Sequence, residues 1–376
     1  MNRPKILYFI TEDWYFISHR LPLALAAQAA GYDVTVVTHV GEHSEAILRA
    51  GIRLIPFNIS RRSINLLSEL ATIVRLALLY QEEKPDIVHH VAMKPVLYGT
   101  LAARIAGVPN VVNALAGMGY IFTSDKPMAR LLRPAISKAF RILLSSSRSF
   151  LILQNQEDCA MFIRERFIKE EKIFLIRGSG VDTDAFSPMA EPSGIPVVML
   201  ASRMLWDKGI KEFVGAARRL KIRGVKARFI LVGDSDSHNF SAIPKKQLTA
   251  WHTEGVIEWW GRRDDMSAVL AQAHIVCLPT YREGLPKVLL EAASSGRPIV
   301  TTDSSGCRDV VRNGENGLLV PVRSTVELAD AIQKLIESPE LRQKMGARGR
   351  EIAMNEFTVA KTVVETMKAY GKLLKQ

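Results

Sequence analysis

The chain has 376 residues, 48% of them hydrophobic and 23% charged, too long for one comfortable core and too close to the globular average for a disordered, collagen-like or solenoid protein. Its formal charge of +12, with Lys and Arg outnumbering Asp and Glu in both halves, suits anionic partners without choosing among nucleic acid, an anionic leaflet and phosphorylated small molecules. Cys159, Cys277 and Cys307 are an odd, unclustered set with no CxxC and no His at ligand spacing, which predicts reduced structural thiols and no metal centre.

The chain passes from a few polar and basic residues directly into the apolar run 6–10, too short for a signal-peptide core. No window of about 18 uncharged apolar residues follows that would span a bilayer. The expectation is a cytoplasmic protein, free or peripheral on a membrane. Residues 5–10, 33–38, 52–56, 87–91 and 111–113 read as strands, and residues 21–30, 66–82 and 96–106 as amphipathic helices between them. Gly31, Gly51 and Gly107 stand at turn or C-cap positions. This alternation predicts βαβ units on a parallel sheet.

From residue 126 to 148 there are six basic residues and no acid. A helical projection puts Arg130, Lys138, Arg141 and Arg148 on one side, and Leu131, Leu132, Ala135, Ile136, Ala139 and Leu143 on the other. Such a stripe suits a helix lying on anionic lipid, with Arg130, Arg133, Lys138 and Arg141 as docking cations. It suits equally a core helix with a solvated basic face, kinked or restarted at Pro134.

The loop 178–196, rich in Gly, Pro, Ser and Asp, marks a domain boundary, placed at residue 190. Residues 197–201, 227–233, 256–260, 275–278 and 298–302 give a second parallel strand set, with helices over 210–221 and 287–295. The fold class is α/β, with Rossmann-like domains over 1–190 and 191–355 and a last helix, 356–376, packing back on the first domain. Ligands of open α/β sheets collect at the carboxyl ends of strands, so two facing domains of this kind are expected to enclose a functional cleft.

Strand 197–201 runs into Ser202-Arg203-Met204-Leu205-Trp206-Asp207-Lys208-Gly209 and then a helix. Arg203 and Lys208, in one strand-to-helix turn, either converge on a diphosphate backed by helix amides or form a solvated basic loop. Glu283-Gly284-Leu285-Pro286-Lys287-Val288-Leu289-Leu290-Glu291 places one carboxylate before a helix start and one within it. Both can grip the vicinal hydroxyls of a sugar or ribose, or be plain surface glutamates. Gly284 and the amides beside it make a second anion-friendly helix start.

Arg-x4-Lys followed by Glu-x7-Glu resembles the donor site of the large retaining GT-B glycosyltransferase family. Residues 178–188 are similar to that family's interdomain linker, Leu231-Val232-Gly233-Asp234 to its second strand, and residues 306–321 to its late Gly-rich segment, so the resemblance spans the chain. It implies that Arg203 and Lys208 bind the diphosphate of a UDP-sugar and neutralise the leaving group, that Glu283 holds the transferred sugar and that Glu291 holds the ribose. Gly233, Gly284, Leu285 and Arg262 complete the donor contacts, the last in Trp260-Gly261-Arg262, whose backbone would read uracil. Of Trp259 and Trp260, one is expected in the core, because strand neighbours face opposite sides.

The resemblance further implies front-face attack, with the leaving phosphate taking the proton and domain closure over the donor. The UDP-sugar is a co-substrate and no metal is expected, since Asp234-Ser235-Asp236 lies in the wrong turn for a DxD site. For the acceptor, Trp14-Tyr15-Phe16 and Ser18-His19-Arg20 replace the family's common Gly-Gly pair. His19 and Arg20 are read either as grips for an acceptor phosphate or, for Arg20, as an ordinary surface charge. One of His89 and His90 is expected to be a satisfied structural histidine. The loop 113–120 contributes Gly117 and carries Ala116 where relatives place a His. Lys287 is a further candidate for donor sugar or acceptor phosphate. Ala-Gly-Met-Gly-Tyr and Glu-Gly-Leu-Pro-Lys-Val-Leu-Leu-Glu are similar to bacterial enzymes extending undecaprenyl-diphosphate glycans, N-acetylgalactosaminyltransferases among them, which implies a lipid-linked saccharide acceptor, an anionic membrane surface and no nucleic acid.

A UDP-N-acetylglucosamine 2-epimerase-type isomerase shares two such domains, and the ordered donor motif favours the transferase. A dehydrogenase would need Gly-x-Gly-x-x-Gly after the first strand, where Tyr8-Phe9-Ile10-Thr11-Glu12-Asp13 has no glycine. A nucleic-acid binder would explain the charge but not two carboxylates beside a phosphate loop.

Overall fold

In the computed structural model, which describes residues 3–59, 65–118, 122, 127–145, 148–236 and 239–374, the apolar runs form two parallel sheets. The first contains β1 (Lys5–Glu12), β2 (Asp33–His39), β3 (Arg53–Pro56), β4 (Ile87–Val91), β5 (Asn110–Ala114), β6 (Ser149–Leu153) and β7 (Ile173–Leu175) in the order β3-β2-β1-β4-β5-β6-β7. Strand order reverses between β1 and β4, the place where open α/β sheets accept ligands. The pattern reading leaves β6 and β7 unassigned. β6 is an apolar run directly behind the basic stretch, and β7 is only three residues long.

Alternation sorts the side chains of this sheet. Ile6, Tyr8, Val34, Val36 and Val112 face α1 (Asp13–His19), α2 (Leu21–Ala29) and α3 (Ser44–Arg49). Leu7, Phe9, Val37 and Val88 face α4 (Leu66–Glu83) and α5 (Met93–Ala106), and Leu151 and Leu153 face α6 (Pro127–Leu143) and α7 (Gln156–Arg164). α4 begins where the Asn65 side chain accepts from the amides of Leu67 and Ser68, a side-chain N-cap.

α6 runs through Pro134 as one helix. It buries Ala129, Phe140 and Leu143, with Phe140 in a cluster with Phe162 and Phe167. The projection of Leu131 onto the apolar side is wrong: Leu131 is 75% exposed and Arg133 is half-buried, because the core of this helix centres on Phe140. Lys126, the first residue of that basic stretch, lies outside the described residues.

The second sheet contains β8 (Val197–Ala201), β9 (Arg228–Val232), β10 (Glu258–Trp259), β11 (Ile275–Leu278), β12 (Ile299–Thr302) and β13 (Gly317–Val320), ordered β10-β9-β8-β11-β12-β13. α8 (Ile210–Ile222), α9 (Lys245–Thr253) and α12 (Thr325–Glu337) cover one face. α10 (Met266–Ala271), α11 (Lys287–Ser294) and α13 (Pro339–Glu356) cover the other.

The chain divides into one unit of Met1–Ser179 with Ala360–Gln376 and another of Gly180–Val359, so the boundaries fall at 179 and 359, not at 190 and 355. The reason lies in the loop read as a linker, which is stitched to the second unit. Val181 pairs with Thr358, Arg350 donates to the carbonyls of Thr183 and Phe186, Arg342 pairs with Glu191 at 2.8 Å, and His274 Nε2 lies 2.9 Å from the Pro192 carbonyl. The last helix, α14 (Val359–Leu374), puts the Tyr370 hydroxyl 2.9 Å from that of Tyr8 and 2.6 Å from His89 Nδ1, inside the first unit.

Candidate active site

The second unit gathers most of the sequence-selected charges at the carboxyl ends of β8 and β11. After β8 the chain passes Arg203, forms a 3-10 turn over Trp206–Lys208 and enters α8 through Gly209. Gly209 has φ +72° and a Cβ there would stand 1.9 Å from the Pro279 carbonyl oxygen, so only glycine lets this turn approach the loop after β11 so closely. The Asp207 carbonyl accepts from Tyr281 N (2.9 Å) and Thr280 Oγ1 (3.1 Å), which fastens the two loops together.

The result brings Lys208 Nζ into a short hydrogen bond with Glu283 Oε1, both side chains largely out of water. Beside them Arg203 Nη1 reaches Asp236 Oδ2 at 3.0 Å and remains the more exposed of the two cations. Asp236 is thus a counter-ion of Arg203.

Behind Glu283 the backbone is fixed by its N–H donating to the Ser305 carbonyl at 3.1 Å. Gly284, Leu285 and Pro286 are buried, with Leu285 in the hydrophobic core. Leu285, expected as a donor contact, packs its side chain into the core, which leaves its backbone for that contact. Glu291 lies one turn inside α11, 6% exposed and 3.0 Å from Lys287. Burial raises its pKa and the Lys287 ammonium opposes the rise. Lys287 is thereby the partner of Glu291.

Gly233, at φ +132°, cannot bear a side chain, since its Cβ would lie 1.9 Å from the Ser202 carbonyl; its N–H donates to Gly261 O and its carbonyl accepts from Trp259 Nε1. Trp259 and Trp260 each pack against the core, on opposite faces of the sheet, so both are structural where one was expected. Arg262 is an exposed turn residue 3.2 Å from Asp264.

In the first unit the reading of Arg20 as a surface charge fails. It is 2% exposed, between α1 and α2, and its Nε has no hydrogen-bond partner among the described residues. His19 ends α1, with Nδ1 2.6 Å from Ser18 Oγ and its ring stacked 4.1 Å from Tyr15. Both His89 and His90 are fully buried, where one structural histidine was expected. His90 meets Tyr80 (3.1 Å) and Asn113 (2.9 Å), and burial pushes its pKa down to about 4. Burial, joined by the Arg20 charge, holds His89 well below the usual imidazole range. Gly117 keeps φ +127° in the loop after β5, whose Gly119 and Tyr120 lie outside the described residues. In α6, Arg130 and Lys138 are exposed, whereas Arg141 is engaged by the Glu165 carbonyl at 3.1 Å and by the Phe167 ring.

The chain is similar to known proteins along most of its length. A model described as glycosyl transferases group 1 matches residues 195–338, and one described as glycosyl transferase 4-like matches residues 5–155. The chain is a glycosyltransferase, with a group 1 domain in its second half. The N,N'-diacetylbacillosaminyl-diphospho-undecaprenol alpha-1,3-N-acetylgalactosaminyltransferase of Campylobacter jejuni is 27% identical to this glycosyltransferase over 383 residues, covering 98% of each chain. The UDP-Gal:alpha-D-GlcNAc-diphosphoundecaprenol alpha-1,3-galactosyltransferase of Escherichia coli is 26% identical over 80% of this chain and 79% of its own. Anabaena HepE in complex with UDP and glucose superposes with a TM-score of 0.79 at 20% identity, covering 98% of this chain and 100% of that one, which shows the shared GT-B fold.

The glycosyltransferase also uses residues the sequence reading passed over. Tyr281 donates to Glu212 at 2.8 Å, with Arg323 over its ring at 4.8 Å, and so braces the loop that carries Glu283. The local signal was slight: Tyr281 stands two residues before Glu283, but its partners lie on α8 and after β13.

Proposed function

We propose that this glycosyltransferase moves a sugar from a UDP-sugar to a polyprenyl-diphosphate-linked saccharide with retention of the anomeric configuration, and that the sugar is N-acetylgalactosamine in alpha linkage. The observation that carries the reading is the convergence of Lys208 on Glu283 beside Arg203, with Glu291 buried in the adjoining helix. Arg203 and Lys208 take the donor diphosphate, displacing carboxylates with phosphate oxygens. Glu283, released from Lys208, accepts from hydroxyls of the transferred sugar, and Glu291 accepts from the ribose.

The bond from C1 to the diphosphate oxygen breaks, the acceptor oxygen bonds to C1 from the same face, and the acceptor proton passes to the leaving phosphate. The two cations stabilise the charge that grows on the diphosphate, in the role a metal ion would otherwise fill, and no metal is required. The activities of the Campylobacter and Escherichia relatives, both on undecaprenyl-diphosphate saccharides, support the acceptor class. Buried Arg20, with an unsatisfied Nε, supports an anionic group of that acceptor at the carboxyl end of β1, joined by His19 and Gly117. The exposed Arg130 and Lys138 of α6 support docking on the anionic cytoplasmic leaflet, and among the described residues no helix is long and apolar enough to cross a membrane.

Incubating the protein with a panel of UDP-sugars and an undecaprenyl-diphosphate saccharide tests the reading. The expected result is transfer from UDP-N-acetylgalactosamine, with an alpha anomeric signal in the product. Conversion of UDP-N-acetylglucosamine alone to UDP-N-acetylmannosamine, without transfer, would replace the reading with an epimerase.

A further inference from the structure

The second unit holds two of its lysines in largely buried pairs with glutamates, Lys208 with Glu283 and Lys287 with Glu291. A further pair of this kind stands in the first unit, outside the site described above. Lys94 Nζ lies 2.8 Å from Glu69 Oε1, with side chains 22% and 12% exposed, close to the 16% and 12% of Lys208 and Glu283. An exposed ion pair is ordinary surface chemistry, but a charge withdrawn from water loses hydration that one partner replaces only in part. Such a lysine gains from an anionic ligand whose oxygens join or displace its carboxylate.

The place of Lys94 in the fold indicates the anion. It is the second residue of α5, which follows β4 directly, and β4 lies beside β1 where the strand order reverses. Open α/β sheets offer this carboxyl-end crevice to ligands. The chain enters α5 through Ala92 at φ +84° and ψ 166°, a conformation suited to glycine, held by its N–H donating to the Ala114 carbonyl at 3.0 Å. That sharp turn sets the start of α5 at the strand end. The Tyr98 ring, one turn further on, lies 5.6 Å from Lys94 Nζ, and Glu69 reaches in from the first turn of α4, so the ammonium is held from two elements. Buried Arg20 belongs to the helix layer on the other face of the sheet, between α1 and α2. Two cations, one from each layer, suit a ligand with more than one phosphate group.

We propose that Lys94 is an acceptor-binding residue that grips the diphosphate of the acceptor, and that Glu69 is the counter-ion that holds it in place when the acceptor is absent. The diphosphate of the donor is taken by Arg203 and Lys208 in the second unit, so the group that Lys94 receives is a different one. The proposal deepens the transferase reading, on which the identity of the diphosphate carrier rests; the existence of a diphosphate site at Lys94 does not depend on it. On binding, phosphate oxygens accept from Lys94 Nζ and Glu69 yields part of its contact.

The test is calorimetric titration of geranyl diphosphate, a water-soluble prenyl diphosphate, into the full chain with the donor site filled by saturating UDP. Wild type is compared with Lys94→Gln and Glu69→Gln, and circular dichroism with thermal unfolding establishes that the variants are folded. The proposal expects Lys94→Gln to bind roughly tenfold more weakly or worse, and Glu69→Gln to bind at least as well as wild type because the ammonium has lost a competitor. A purely structural ion pair gives a different pattern, since either substitution breaks it and both weaken binding alike. The double variant Lys94→Gln, Glu69→Gln buries no lone charge; it is expected to bind as weakly as Lys94→Gln and serves if that single variant is unstable. In transfer to a short-chain prenyl-diphosphate saccharide, the loss in Lys94→Gln is expected in acceptor KM and not in donor KM. Wild-type affinity in Lys94→Gln, equal weakening in both single variants, or no binding by wild type would each overturn the proposal. Binding of geranyl diphosphate that depends on Lys94, in a protein with no transferase activity, would uphold the site while removing the acceptor reading, so the two claims fail separately.

Discussion

Lys208 and Glu283 neutralise each other in a partly buried setting, so removing one leaves the other charged in a poorly hydrated place. Lys208→Ala is therefore expected to lower the transfer rate by roughly a hundredfold to a thousandfold, the scale of losing one donor to a developing anion, while the circular dichroism spectrum is unchanged; a steady-state rate within a few-fold of wild type would dismiss its role. His90 supplies a different residue-scale prediction. Its pKa falls to about 4 in the folded protein, below its ordinary value of 6.5, so below pH 6.5 the unfolded chain binds a proton that the native state refuses. Stability is then fully present above pH 6.5 and is lost as pH falls towards 4, by on the order of 2 to 3 kcal/mol. Urea unfolding at pH 7 and pH 5 checks the slope, and a His90→Gln variant is expected to reduce it, the remainder coming from His89. Neither the Lys208 contact nor the two histidine environments is written in local sequence: Lys208 and Glu283 are 75 positions apart and His89 and Tyr370 are 281 apart.

The elements that were legible are those whose local pattern and tertiary role agree. Ile87–Val91, Val197–Ala201 and Ile275–Leu278 are β-branched runs buried on both sides, and a fully buried parallel strand has that appearance. β7 and β13 escaped because three or four half-buried residues at a sheet edge carry too little periodicity. The basic stretch shows the opposite error. A projection identifies two sides of α6 but not which side meets the core, and Phe140 decided it. At the site, the turn after β8 and the loop after β11 act as one element through the Asp207 carbonyl and the Tyr281–Glu212 bond. Tyr281→Phe keeps the ring under Arg323 and deletes only the hydroxyl, which leaves Glu212 buried without that donor. The expected effect is a fall in kcat of roughly tenfold with little change in the melting temperature, and partial rescue by adding Glu212→Gln. Unchanged kcat would show that the loop holds Glu283 without this brace.

At the scale of the molecule, the two units have separate cores, and the chain returns to the first through α14. Tyr370→Phe removes the hydroxyl between Tyr8 and His89 and is expected to destabilise the first unit by about 1 to 3 kcal/mol. Trp206, Trp251, Trp259 and Trp260 belong to the second unit and Trp14 to the first, so in a Trp14→Phe background the fluorescence transition in urea should hold its midpoint on adding Tyr370→Phe, while far-ultraviolet circular dichroism shows an earlier loss. The division of labour in the donor site is the claim on which the functional account stands, and titration calorimetry of UDP against wild type, Lys208→Ala and Glu283→Ala tests it most directly. The account predicts that Lys208→Ala binds UDP at least roughly tenfold more weakly, whereas Glu283→Ala binds UDP as well as wild type and loses only the added affinity for a UDP-sugar. Wild-type UDP affinity in Lys208→Ala would contradict it.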